Sequence, residues 1–181
     1  NAPVGRYHPA VIAQAAATLA DMHGDRFWLA VGSGEALNEC ITGERWPAKD
    51  VRNRRLREAV TVMRALWRGE EVTHHGEFVV DRARLYTLPP RPLPVVAAAL
   101  SPETAGWAGA WADGLVTISQ PREKLRAVID AFREGGGEGK SVHLQVKLSW
   151  AKTDEEARQG AFVREQVMGI CMTSPGRAPW I

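Results

Sequence analysis

Apolar positions along this chain alternate between a helical rhythm and short unbroken runs. From Pro9 to about Asp21, Ile12, Ala16 and Leu19 recur at helical spacing, and Pro9 suits a first helical turn, where its missing N–H would have no partner in any case. The run Phe27-Trp28-Leu29-Ala30-Val31 is short, apolar and closed by Gly32-Ser33-Gly34, which predicts a buried strand ending in a glycine turn. A loop then reaches Trp46-Pro47. From about Asp50 to Arg68, Leu56, Val60, Met63 and Trp67 recur at intervals of four, three and four, with Arg and Glu on the other face. This is the clearest helix in the sequence.

Residues 70–93 break the rhythm. Val72 to Val80 reads as a small hairpin, and Leu88-Pro89-Pro90-Arg91-Pro92 as an extended connection. Pro94 to Ala99 is a second buried strand, and Ser101-Pro102-Glu103-Thr104 supplies an N-cap hydroxyl and a proline for the helix that follows. Leu115 to Ile118 forms a third strand. Leu125, Val128, Ile129 and Phe132 mark the next helix, stopped by Gly135-Gly136-Gly137. Val142, Leu144, Val146, Leu148 and Trp150 alternate with polar residues as a fourth strand, and Thr153 with Glu156 forms a capping box opening another helix.

Strands alternating with helices through short connections predict an α/β fold with a parallel sheet. An open doubly wound sheet competes with a (β/α)8 barrel, which needs eight strands and typically ~250 residues. With 181 residues and four legible strands, a barrel of this class can only be partial. The opening helix, which has no strand before it, points the same way. Residues 1–167 are then one domain, and 168–181 an irregular tail without helical or strand period.

Composition narrows the function classes. With 45% hydrophobic and 24% charged residues the chain has the content of a compact soluble domain. Lys and Arg number 23 against 21 Asp and Glu, a net charge of +2, which argues against nucleic acid as a partner. No run approaches the ~18 apolar residues of a membrane helix and the first residues hold no apolar signal core, so a cytoplasmic location with no membrane partner is expected. Cys40 and Cys171 stand far apart without a CxxC motif, as lone thiols rather than a disulfide or zinc site. No metal is expected.

In either parallel fold, ligands bind at the C-terminal ends of the strands. Two turns fall there. In Gly32 to Glu39, glycines allow close backbone approach, Ser33 and Asn38 offer neutral hydrogen bonds, and Glu35 is a candidate proton-transfer group; an ordinary strand-to-helix turn with a capping glutamate has the same pattern. A dinucleotide fingerprint would need a third glycine where Leu37 stands. In Ala98 to Thr104, small residues end a strand at a helix N-terminus, a place suited to phosphate or to a flat ring, and equally a plain capped helix start. His74-His75 sit in a strand with side chains to opposite faces, as hairpin polarity rather than metal ligands. Tyr7-His8 is read as a loop-packing pair, and Arg52, Arg54, Arg55 and Arg57 as a solvated or subunit-facing surface.

The strings from Arg6 to Ala15 (RYHPAVIAQA) and Gly32 to Glu39 (GSGEALNE) resemble the luciferase-like superfamily of flavin and deazaflavin oxidoreductases. Within it they resemble the branch of glucose-6-phosphate dehydrogenases that use the deazaflavin coenzyme F420. Ser101 to Thr104, Ala112 to Leu115 and Phe132 to Gly136 are similar to a sister group of non-F420 flavinoid oxidoreductases. The resemblance covers residues 1 to about 160 and implies a partial (β/α)8 barrel, from the end of the third strand to the helix after the seventh.

It also implies hydride transfer between a small organic substrate and FMN or F420. Glu35 would be the active-site carboxylate, Ser33 and Gly34 would contact the cofactor through backbone, and Asn38 would hydrogen-bond it. Leu100, Ser101, Glu103 and Thr104 would lie along its phosphate or ribityl chain. Leu100 and Ser101 replace a glycine pair of the sugar-phosphate enzymes, and Pro121 stands near where those carry a lysine for the sugar phosphate, so a substrate other than glucose 6-phosphate is implied. The Asp-His stretch of the family's early strands is matched by nothing in this sequence. The alternative is therefore a catalytically inactive half-barrel acting as an assembly subunit. Exposed parallel edges lead in either case to an expected homo-oligomer, a dimer.

Overall fold

The computed structural model describes residues 2–3, 5–39, 43 and 45–162, which leaves Cys40, Cys171 and the 168–181 tail outside the described residues. The chain divides into two compact units, 1–145 and 146–181. In the first, the elements run β1 (Ala2–Pro3), α1 (Pro9–His23), β2 (Leu29–Gly32), α2 (Ala36–Glu39), α3 (Lys49–Trp67), β3 (Val72–His75), β4 (Val79–Ala83), β5 (Val95–Ala98), α4 (Pro102–Gly109), β6 (Gly114–Ile118), α5 (Arg122–Phe132) and β7 (Ser141–Gln145). In the second unit, residues 154–162 are helical. The Glu156 amide donates to Thr153 Oγ1 at 3.3 Å, as the capping pattern predicts.

β1, β2, β5, β6 and β7 form one five-stranded sheet in that order, with every neighbouring pair parallel. β3 and β4 stand apart as an antiparallel hairpin. Two strand expectations need correction. The first helix does have a strand before it, because Ala2–Pro3 pairs with Val31–Gly32; a two-residue strand carries no hydrophobic period to read. The fourth predicted strand ends at Gln145, not Trp150. Its partner among the described residues, β6, runs out at Ile118, and the bond from the Ser119 amide to the Gln145 carbonyl closes the ladder.

Alternation along the strands sorts the sheet into two faces. Val31, Ala97, Leu115 and Val142 occupy one register row. Val31, Val95 and Ala97 pack beneath α1 and α3 with Ile12, Ala13, Ala16, Leu56, Val60, Met63 and Leu66. Leu115 and Val142 belong to a second cluster with Ala99, Ala105, Val128 and Phe132 under α4 and α5. The other face carries Ala30, Val96, Ala98, Val116 and His143, with Trp28 stacked on His143 at 4.8 Å between ring centroids.

Polar contacts fix the helix layer. His8 Nδ1 accepts from the Ala10 amide at 3.2 Å, so its proton sits on Nε2, which donates to the Val79 carbonyl at 2.9 Å. One imidazole thus caps α1 and docks the hairpin. On the other side, Glu58 Oε2 receives His74 Nε2 and the Glu77 amide, each at 2.9 Å. Partial burial pushes the Glu58 carboxyl up, but the Glu77 amide and His74 hydrogen bonds, with the charges of His74 and Arg54, outweigh it and hold it below the usual carboxylate range. The basic run on α3 is mostly engaged: Arg52 donates to the Pro47 carbonyl and lies over Trp46, Arg54 bridges Asp50 and Glu77, and Arg57 lies over Trp111.

Candidate functional site

Because the strands are parallel, the segments leaving them share one rim of the sheet. The β2 exit carries Ser33 to Glu39 and the β5 exit carries Ala99 to Thr104; β2 and β5 are hydrogen-bonded neighbours, so the two turns singled out in the sequence stand side by side. Gly5 and Arg6 follow β1 on one flank, and Ser119 and Gln120 follow β6 on the other.

In the first turn, Gly34 takes φ +86°, a conformation that other residues adopt only with strain. The Glu35 carbonyl receives the Asn38 amide at 2.9 Å and the Glu39 amide at 3.0 Å, winding the single turn of α2. That turn replaces part of the expected loop; four residues are too few to show a period. The Asn38 Nδ2 donates to Glu35 Oε2 at 2.8 Å, and both side chains are exposed. Ser33 and Gly34 are half-buried.

The second turn is a capped helix start. The Ser101 Oγ accepts from the Thr104 amide at 3.4 Å and donates to Thr104 Oγ1 at 3.0 Å, with Pro102 in the first helical position. Glu103 reaches outward to Lys49 Nζ at 2.7 Å, which ties the first turn of α4 to the first turn of α3. Leu100 is 57% exposed and follows the half-buried Ala98 at the rim, whereas Ala99 is buried in the cluster under α4 and α5.

Residues that the sequence reading left without a role complete the rim. Glu39 is only 9% exposed and lies 3.5 Å from Arg6 Nε. A Cβ on Gly34 would meet the Glu39 side chain at 3.1 Å, so the missing side chain of Gly34 makes room for Glu39. Gln120 Nε2 is buried without a hydrogen-bond partner among the described residues. A second carboxylate four positions after Glu35, beginning the next helical turn, was the one signal in the sequence for Glu39. Arg6 opens the RYHPAVIAQA string, but nothing in the sequence pairs it with Glu39.

Comparison with known proteins shows the family. The profile described as Luciferase-like monooxygenase matches residues 2–178. The chain belongs to the luciferase-like monooxygenase family. It is 41% identical over 165 residues to an F420-dependent glucose-6-phosphate dehydrogenase of Mycolicibacterium gilvum, covering 85% of this chain and 49% of the relative. It is 43% identical over 136 residues to the protein of the same name from Nakamurella multipartita, covering 74% of this chain and 40% of that one. Among solved structures it is similar to an F420-dependent secondary alcohol dehydrogenase in complex with an F420-acetone adduct, at 35% identity and TM-score 0.67, over 78% of this chain and 45% of that one. The fold also matches the coenzyme F420-dependent tetrahydromethanopterin reductase from Methanopyrus kandleri with TM-score 0.76, at 21% identity, over 96% of this chain and 55% of that one. The luciferase-like chain thus spans about half the length of the relatives it matches. No helix among its described residues is long and apolar enough to cross a membrane.

Proposed function

We propose that this chain forms one side of the cofactor site of an oxidoreductase that transfers a hydride between a small organic substrate and coenzyme F420. It would contribute the segment from the end of the third barrel strand to the helix after the seventh. The observation that carries the reading is the placement of the Ser33–Asn38 and Leu100–Thr104 turns on neighbouring parallel strands, at the rim where such folds bind ligands. F420 is favoured over FMN by relatives more than 40% identical to this chain that are named as F420-dependent.

The residues present fit such a group. Ala98 and Leu100 offer apolar surface for a flat ring, Asn38 and the Gln120 amide, which has no partner among the described residues, offer neutral donors, and Lys49 balances the charge of Glu103 beside the α4 N-terminus. When bound, the deazaflavin supplies the hydride chemistry itself. Glu35 would hold or move the proton at its carboxylate, with Asn38 fixing one of its oxygens. Ser33 and Gly34 would meet the cofactor through their backbone, and Leu100, Ser101, Glu103 and Thr104 would line its ribityl or phosphate portion. Pro121, at the N-cap of α5, supplies no cation for a sugar phosphate, which favours a substrate other than glucose 6-phosphate.

Titrating this chain with F420, and separately with FMN, while recording the chromophore's fluorescence tests the proposal. Saturable binding of F420 at one per chain is expected, with affinity within about twofold in Glu35→Gln, whose role is in proton transfer rather than binding. A folded chain that binds neither molecule would leave the assembly-subunit reading in its place.

A further inference from the structure

We propose that Glu39 is the positioning residue of this rim: paired with Arg6, it locks the turn that presents Glu35 and Asn38 against the exit of β1. The functional part of this inference rests on the reading of Glu35 as the acting carboxylate; the geometric part stands without it.

α2 has four residues, far fewer than a helix needs to hold itself together. Ala36 and Asn38 are exposed, so they bury nothing that would anchor it. Among the described side chains of α2, Glu39 is the one turned inward, and a carboxylate at 9% exposure is retained only where charge or hydrogen bonding compensates its desolvation. Its path lies between two strand exits. Its Cγ and Cδ lie 3.1 Å from where a Gly34 Cβ would stand, and its Oε2 lies 3.0 Å from where a Gly5 Cβ would stand. A Cβ at either glycine would force the Glu39 side chain to shift by a few tenths of an ångström. At the end of this path Oε1 faces Arg6 Nε at 3.5 Å, and the Arg6 side chain is itself 30% exposed.

The backbone completes the clamp. The Glu39 amide and its neighbour at Asn38 both donate to the Glu35 carbonyl, while the Glu39 side chain fills the space beside Gly34. Residues 34 and 35 are therefore gripped from two sides by one residue. Fixing a reacting group through a neighbour that is itself locked is how a fold holds a site to the tolerance that catalysis requires. Packing alone would be served by any side chain of this size; the pairing with Arg6 makes the charge matter.

Amide hydrogen exchange on this chain, with Glu39→Gln, Arg6→Gln and Arg6→Lys beside the parent, separates charge from packing. Protection of the Asn38 and position-39 amides is expected to fall about tenfold or more in Glu39→Gln and Arg6→Gln, as in a local opening, and to persist in Arg6→Lys. The Ala105 amide, bonded to Ser101 in the other turn, should not change. A parallel F420 titration should show affinity weakened about tenfold by Glu39→Gln. Unchanged protection in both neutral variants, or equal loss in Arg6→Lys and Arg6→Gln, overturns the proposal. Should Glu39→Gln fail to fold, the two Arg6 variants make the same test. Should the parent bind neither F420 nor FMN, the proposed function fails, while the exchange comparison still decides whether Glu39 positions the turn.

Discussion

The two ends of the parallel sheet are built differently. At the end where the strands begin, charge is spent on backbone: Asp113 Oδ2 accepts the Val95 amide at 2.9 Å and Arg64 at 2.7 Å, and the Asp113 amide returns a bond to the Val95 carbonyl at 2.8 Å. That closed loop of contacts starts β5 beside β6 and ties both to α3. At the end where the strands finish, Glu35 and Asn38 bond each other and face solvent, and Ser101 bonds within its own turn. The first end ties three elements through one carboxylate; at the second, the long-range pairs Arg6–Glu39 and Lys49–Glu103 hold short local turns whose Glu35 and Asn38 stay exposed. A parallel fold therefore separates the residues that set stability from those available for chemistry.

The contrast predicts a graded set of outcomes. Asp113→Ala should have the largest effect on stability, about 2–3 kcal/mol in denaturant melts, because it leaves the Val95 amide and Arg64 without their acceptor. F420 affinity of the folded fraction should not change. Gly34→Ala should cost about 1–2 kcal/mol for the positive φ alone, and unlike Asp113→Ala it should also weaken F420 binding, since Glu39 must move. Equal loss of binding in both variants would break the division between the two ends. Ser101→Ala removes an N-cap and should lower stability by about 1 kcal/mol, read as a shift in the thermal midpoint.

The smallest expected effect lies on the hairpin. The Glu58 carboxyl is depressed in the folded state, so its contribution is present above the ordinary carboxylate range, about pH 4.3, and is lost as pH falls through the folded value. Glu58→Gln should therefore cost below about 1 kcal/mol at neutral pH, the pair being partly exposed. The gap between variant and parent should close on acidification. A gap that widened instead would mean that His74 and the Glu77 amide do not hold the carboxylate.

The same division explains what the sequence made legible. α3 was plain because nineteen residues give several turns of a repeating pattern, and the start of α4 was plain because Ser101-Pro102 carries its capping chemistry locally. β1 and α2 were not, since two and four residues cannot show a period and exist only through neighbours. β7 read as too long because the end of a strand is set by its partner: Val146, Leu148 and Trp150 keep the alternation after β6 has stopped. In the site, the two turns were found through their strand-end position, whereas the Arg6–Glu39 pair joins residues on different strand exits, which only the fold brings together. Glu39 stood inside a motif already noticed, yet its burial had no signature in the sequence.

The most direct measurement is a set of amide chemical-shift changes on adding F420 to this chain. The amides of residues 33–38 and of Leu100, Ser101, Glu103 and Thr104 should shift together and saturate at one F420 per chain, while the Asp113 and Val95 amides at the opposite end stay in place. Shifts confined to one turn, or centred on the strand-start end, would contradict the assignment of the two turns to a single site.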